Sequence, residues 1–206
     1  MACNKVAVVT GGAKGVGAGI SKVLAAAGWA VLANYNANPG VAQRTFDEIT
    51  AAGGNFHIIR ADVSDARDVQ ALMDEAVGRF GRIDALVNNA AMQRNQTLFQ
   101  YSLADYDRLM EVNLKGYLLC TQAALPQLIR SRGRIVNISS IHAGRPTGFD
   151  PVYAMTKAAI RMLSYETAIA LARYGIFVNT LELGGVDSGP KTGAAGSWSS
   201  MRRPPE

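Results

Sequence analysis

The sequence has no uninterrupted run of about 18 apolar residues, so it offers no membrane-spanning helix. It has little cysteine. Cys3 and Cys120 are too few for a disulfide framework and lack paired-ligand spacing, which suits reduced thiols in a cytoplasmic protein. It also lacks a charged segment followed by an apolar one at its start. Met1-Ala2-Cys3-Asn4-Lys5 runs directly into a strand pattern, so no secretory signal is read and the cytoplasm is the expected location. No cluster of His, Cys and carboxylates has metal-ligand spacing, so no metal is expected. The net charge is +5, but the basic residues are scattered apart from Arg202-Arg203, and no aromatic residues interleave with them. No nucleic-acid partner is expected; a small phosphate-bearing ligand suits the modest excess.

What is present is a globular composition: 206 residues, 49% hydrophobic and 18% charged, expected to form one domain over residues 1–206 with a core of its own. Short apolar runs recur at 6–9, 30–33, 56–59, 83–87, 134–138 and 176–178. They are near-continuous, the pattern of strands covered on both faces. Between them lie stretches with helical spacing. In 65–80, Val69, Leu72, Met73, Ala76 and Phe80 form one stripe, with Ser64 expected as N-cap and Gly81 as the stop. A helical region over 105–131 is expected to be kinked or interrupted at Pro126. Another over 151–173 has Asp150 as cap and Pro151 at its first position. Strand alternating with helix predicts an α/β fold: a doubly wound parallel sheet with helices on both faces. Residues 188–206, rich in small and turn-forming types, are expected to be a mobile loop and an incomplete substrate lid.

After the first strand comes Thr10-Gly11-Gly12-Ala13-Lys14-Gly15-Val16-Gly17, opening a helix. Glycines there let the backbone turn tightly and approach a pyrophosphate, which the helix N-terminus binds with free N–H groups. Gly11, Ala13, Lys14, Gly15, Val16 and Gly17 are therefore expected cofactor contacts. An acidic residue at the end of the second strand would hold an adenosine 2′-hydroxyl and repel a 2′-phosphate. The chain has Asn34-Tyr35-Asn36 instead, with Lys14 in the turn, so NADP is preferred over NAD, and Asn34 and Asn36 join the expected contacts.

Tyr153 and Lys157 stand at i and i+4, on one helix face. An ammonium about 4 Å from a phenol, at an effective dielectric near 20, favours the phenolate by roughly 4 kcal/mol. The expected result is a lowered pKa and acid–base competence near neutrality. Ser140 lies at the end of a strand, where open α/β sheets place ligands, and Ser139 should point to the other face. His142 is a weaker candidate base. His57 suits a packed or edge position.

Taken together, these motifs resemble the short-chain dehydrogenase/reductase family from Lys5 to about Ser188. Thr10, Gly11, Gly15 and Gly17 match its glycine turn. Asp62-Val63 matches its adenine-contacting pair, and Asn88-Asn89-Ala90 its Asn-Asn-Ala-Gly, with Ala91 in place of the last glycine. Asn113, Ser140, Tyr153 and Lys157 match its catalytic tetrad. The resemblance implies a Rossmann-type fold and hydride transfer between a nicotinamide and a small ketone or secondary alcohol. It implies that Tyr153 moves the proton and Ser140 holds the oxygen. Lys157 holds the ribose, and Asn113 positions a water. It adds Asp62, Val63, Asn89, Val186 and Ser188 as cofactor contacts. In Leu183-Gly184-Gly185-Val186-Asp187-Ser188, Leu183 replaces the family's proline, and Ser188 keeps a hydroxyl in the place of its threonine.

Family members continue for several tens of residues past this point, so a missing edge strand and a truncated C-terminus are expected. A non-catalytic or weakly active nucleotide-binding protein is the alternative that follows. A homodimer or homotetramer built on the helices over 105–131 and 151–173 is the expected assembly. A 3-oxoacyl reductase and a sugar dehydrogenase both remain open.

Overall fold

The structure is a computed structural model that describes residues 5–186. Six parallel strands form one sheet: β1 (Val6–Val9), β2 (Ala30–Tyr35), β3 (Phe56–Arg60), β4 (Ala85–Asn88), β5 (Arg134–Ser140) and β6 (Phe177–Leu183). Their order is β3-β2-β1-β4-β5-β6, so the winding reverses between β1 and β4. The crevice at that reversal, above the carboxyl ends of the strands, is where such sheets take ligands.

The near-continuous apolar runs are explained by cover on both faces. Val8, Leu32, Leu86 and Ile135 pack with Leu72, Met73 and Ala76 of α3 (Ala66–Phe80) and with Cys120, Ala124 and Leu128 of α5 (Gly116–Ser131). Ala7, Val9, Val31 and Ala33 point the other way. They meet Ala25 of α1 (Gly15–Ala26) and Ile49 of α2 (Pro39–Ala51). Alternation along each strand sends neighbours to opposite layers, so the central stretches of the inner strands are apolar in succession. The predicted doubly wound architecture is the observed one.

Local differences have physical causes. β4 starts at Ala85 rather than Ile83, because Val6 N–H is taken by the buried Asp84 carboxylate at 2.9 Å instead of by a ladder carbonyl. The N-cap of α3 is Asp65, not Ser64: its carboxylate accepts from the amides of Arg67 and Asp68. Ser64 instead donates its hydroxyl to Asp62 at 2.7 Å. Gly81 ends α3 as expected, with φ of 79°.

The expected interruption at Pro126 does not occur; α5 runs through it. The break falls earlier, where a π-helical turn over Glu111–Lys115 joins α4 (Leu103–Met110) to α5. Asn113 sits in that turn. A π-turn accommodates an extra residue and re-aims side chains, and it is often found at functional sites. The last helix, α6 (Pro151–Leu171), starts as expected: Asp150 accepts from Tyr153 N–H at 3.1 Å, and Pro151 occupies the first position.

Among the described residues β6 is the outer strand on its side. Phe177 and Leu181 are exposed, as expected for a sheet edge with no cover there. His57 lies on the opposite edge strand, packed against Phe46 and Phe80. Burial lowers its pKa, which keeps it neutral and structural.

Candidate active site

The glycine turn is built as a close-packed corner. Gly11 has φ of 61°, a left-handed conformation that favours glycine. A Cβ on Gly17 would lie 2.2 Å from the Gly11 carbonyl oxygen, so helix and turn touch backbone to backbone. Helix α1 then begins with no side-chain cap and no acidic residue in its first turn. Its first N–H groups are left for another acceptor. Lys14 and Gly15 are exposed at that end, Val16 is half-buried, and Lys14 has no partner among the described residues.

Two of the expected contacts, Asn34 and Asn89, also hold the backbone of the turn. Asn34 is buried: its Oδ1 accepts from Gly11 N–H at 2.9 Å and its Nδ2 donates to the Ala61 carbonyl at 2.7 Å. Asn89 donates through Nδ2 to the carbonyls of Thr10 and Gly11, at 2.9 and 3.2 Å. Both carboxamides clamp the glycine turn. The Ala13 side chain is also buried, and its carbonyl accepts from Thr45 Oγ1, which leaves it no side-chain role toward a ligand.

At the rim, Asn36 is exposed and donates to Asp62 at 3.0 Å. Asp62 also takes Ser64 and a 2.6 Å ion pair from Arg108 on α4. Burial acts against its carboxylate, but the hydrogen bonds from Ser64 and Arg108 prevail and hold it at about 2. Val63 is buried against Gly116. Val186 is exposed just past β6. Ser188, and the loop and lid expected over 188–206, lie outside the described residues.

At the carboxyl end of β5 the tetrad residues converge. Ser140 is buried, and its Oγ accepts from His142 N–H at 3.2 Å. Ser139 points to the opposite face from Ser140, donating to the Lys157 carbonyl at 2.8 Å. His142 is occupied with the Arg145 carbonyl at 3.2 Å and packs edge-on to Phe149, so it faces neither Tyr153 nor Ser140 Oγ as a base.

Lys157 is 2% exposed, and its ammonium donates to the Ile138 carbonyl at 2.9 Å. It lies 5.6 Å from the Tyr117 ring centroid and 5.5 Å from that of Tyr153. No carboxylate pairs with it among the described residues, and burial alone pushes it down to about 8. An ammonium has three donors. A cation held this deep with spare donors is a prepared seat for ligand oxygens.

The phenol corrects one expectation. Tyr153 is raised above its ordinary value, not lowered. Burial is the main cause, the Ser140 hydroxyl works against it, and the charge of Asp150 adds to it. The Lys157 ammonium, bonded to the Ile138 carbonyl, does not offset the burial of the phenol.

Asn113 is fully buried. Its Oδ1 accepts from Met92 N–H at 2.8 Å, and its Nδ2 donates to the Met92 carbonyl at 2.9 Å and to Thr156 Oγ1 at 3.2 Å. Both amide hydrogens are used, and one lone pair on Oδ1 remains. Its evident task is to hold the segment after β4 against α6.

Sequence reasoning missed several parts of this site. Tyr117 donates its hydroxyl to the Ile138 carbonyl at 2.9 Å, the same oxygen Lys157 uses. Its place one turn after Asn113 was the available signal. Asp150 was read only as a cap, and Tyr101 and Arg108 carried no local pattern at all.

A family model described as short chain dehydrogenase matches residues 5–197. A 3-oxoacyl-[acyl-carrier-protein] reductase of Staphylococcus aureus is 37% identical over 185 residues, 89% of this chain and 75% of the relative. An oxidoreductase of Methylorubrum extorquens is 42% identical over 181 residues, 88% of this chain and 73% of the relative. Glucose 1-dehydrogenase 2 of Bacillus subtilis is 34% identical over 184 residues, 88% of this chain and 71% of that one. A solved short-chain dehydrogenase/reductase of Serratia marcescens, in a doubly substituted form, superposes with a TM-score of 0.85 at 36% identity, over 94% of this chain and 80% of the other. Fold, motif order and likeness along most of the sequence agree: the chain belongs to the short-chain dehydrogenase/reductase family of oxidoreductases acting on CH–OH groups.

Proposed function

We propose that this oxidoreductase interconverts a ketone and a secondary alcohol using NADP(H), with Tyr153 as the group that gives and takes the proton. The observation that carries the reading is the meeting of Tyr153, Ser140 and an ammonium without a carboxylate partner at the carboxyl end of β5. The bound nicotinamide supplies or accepts the hydride. The free N–H groups at the start of α1 receive the pyrophosphate, and the spare donors of Lys157 take the ribose hydroxyls. Ser140, whose hydroxyl bonds the Tyr153 oxygen while its lone pair accepts from His142 N–H, turns its hydrogen to the carbonyl oxygen when substrate enters. Tyr153, protonated at neutral pH, donates to that oxygen as charge develops on it. In alcohol oxidation it takes the proton back. Asn113 positions these groups through Met92 and Thr156.

The choice of NADP rests on the end of β2. Asn36 presents a carboxamide there instead of a carboxylate, and Lys14 stands unpaired at the mouth of the turn. Fluorescence titration should give tighter binding of NADPH than NADH. Lys14→Ala should weaken NADPH about tenfold, the loss of one charge-assisted contact, and leave NADH within about twofold. Equal affinity for the two cofactors would refute the preference. An acetoacetyl thioester and glucose are the substrates to assay first, since proteins similar to this chain act on 3-oxoacyl groups and on glucose.

The reading extends to assembly. Met155, Met162, Tyr165 and Ile169 are exposed on α6, and an open cleft of about 570 Å³ is lined by Met110, Leu114, Leu118 and Leu163 with Asp107, Glu111 and Lys115. An apolar surface of this kind suits a second copy, giving a homodimer or homotetramer. Sedimentation of Ile169→Glu should show a smaller species than the parent chain; identical sedimentation of a monomeric parent would end the idea.

A further inference from the structure

We infer that Asp150 is a positioning residue for Tyr153, locking the segment over 94–101 and the first turn of α6 into one unit. The inference rests on Tyr153 being the acid–base group. The Asp150 carboxylate is fully buried. Its Oδ2 accepts from the amides of Arg94 and Asn95, at 3.0 and 2.9 Å. Its Oδ1 accepts from the Tyr101 hydroxyl and from Tyr153 N–H, the latter at 3.1 Å. Asn95 takes φ of 57°, and in this left-handed turn both amides reach the same oxygen.

Capping alone does not require this arrangement. Ser, Thr or Asn would cap α6 as well, without the cost of burying a charge. Only a carboxylate accepts at both ends; a carboxamide has a single acceptor oxygen. Nor does an ion pair explain the aspartate. The Arg94 guanidinium is engaged by Asp105 at 2.9 Å, and no salt bridge joins Asp150 among the described residues. Its charge is held by hydrogen bonds and the helix N-terminus. The two bridged pieces are the segment that follows β4, on the crevice side of the sheet, and the turn that carries the reacting phenol.

The groups that face Tyr153 are Lys157 on the next turn, Ser140 from β5, Tyr117 from α5, and Asp150. Around Asp150 itself stand Tyr101, Arg94 and Asp105. A negative charge opposes the phenolate, so Asp150 raises the pH at which Tyr153 loses its proton.

The test uses Asp150→Asn and Tyr101→Phe in the full chain, with Tyr153→Phe as reference. Hydrogen exchange would be followed at residues 94, 95 and 153, together with NADPH-dependent reduction of an acetoacetyl thioester across pH. In Asp150→Asn the single carboxamide oxygen can still cap Tyr153 N–H, so exchange should rise at residues 94 and 95 and stay near parental at 153. The kcat should fall about tenfold or more as the phenol loses its placement, while KM for NADPH stays within about twofold. The alkaline limb of the profile should move to lower pH. Tyr101→Phe keeps the charge and removes a donor that offsets it, so its limb should move to higher pH with a smaller loss of kcat. Unmoved limbs and unchanged exchange in both variants would overturn the inference. If Asp150→Asn does not fold, Tyr101→Phe decides: a wild-type limb refutes it. Undiminished turnover in Tyr153→Phe would refute the acid–base reading instead, which keeps the two failures distinct.

Discussion

Tyr153→Phe should lower kcat for carbonyl reduction by about 10²- to 10⁴-fold, the usual worth of a placed general acid. The ring remains, so packing against Lys157 and the fold should survive. What disappears is the hydroxyl that faces Ser140 and the substrate oxygen. NADPH affinity should therefore change little, and the loss should fall on kcat rather than on KM for the cofactor. The sign of the pKa shift adds a direction. Burial and Asp150 hold Tyr153 protonated beyond neutral pH, and Lys157, pushed down to about 8, is cationic at neutrality and loses its charge on the alkaline side. Reduction uses the protonated phenol, so its rate should be flat through neutrality and fall on the alkaline side. Oxidation uses the phenolate and should rise over the same range. Steady-state kinetics in both directions would check this. Near-parental turnover in the variant would remove Tyr153 from the chemistry.

Gly17→Ala should abolish nucleotide binding, raising Kd by about 100-fold or more, a loss of some 2.7 kcal/mol. The added Cβ would fall 2.2 Å from the Gly11 carbonyl oxygen and 2.5 Å from Asn89 Nδ2. Neither neighbour is the free end of a flexible chain. The carbonyl belongs to a residue in a left-handed conformation, and Asn89 is already bonded to that carbonyl and to Thr10. Helix and turn must part, at a stability cost of about 1–3 kcal/mol typical of overpacking. The free N–H groups of α1 would no longer point where the turn now aims them. Gly19→Ala provides the control. It lies on the same helix with open space around it, so it should bind normally and gain about 0.5–1 kcal/mol of stability from helix propensity. Calorimetric titration and melting curves would read both effects. Tight NADPH binding by Gly17→Ala would mean that the turn does not cradle the pyrophosphate.

The periodic and local features were legible in the sequence. Strands β1 to β5 lie where apolar runs fall, because a sheet covered on both faces demands apolar residues in succession, whereas the run at 176–178 marks only the start of the exposed edge strand β6. The start of α6 was legible because capping by Asp150 and the fixed φ of Pro151 act within one turn. Features that depend on a distant partner were read less well. The α3 cap moved by one residue because Arg108, 44 positions away, holds Ser64. The helix is not interrupted at Pro126, and the break sits at Asn113, whose carboxamide is bonded to Met92 and Thr156.

The same division runs through the site. By itself the sequence determined the α/β architecture, the glycine turn and the identities of Ser140, Tyr153 and Lys157, since each rests on residue type and short spacing. Only the tertiary structure decided what those residues experience. It gave Asn34 and Asn89 a clamping role, since each carboxamide meets backbone groups that the chain brings from far away. It raised the Tyr153 phenol instead of lowering it, and it joined Asp150 to Tyr101 and Arg94 across some fifty positions. Hydrogen-bond partners and desolvation are set by which segments fold against one another, and a spacing of four along one helix carries neither.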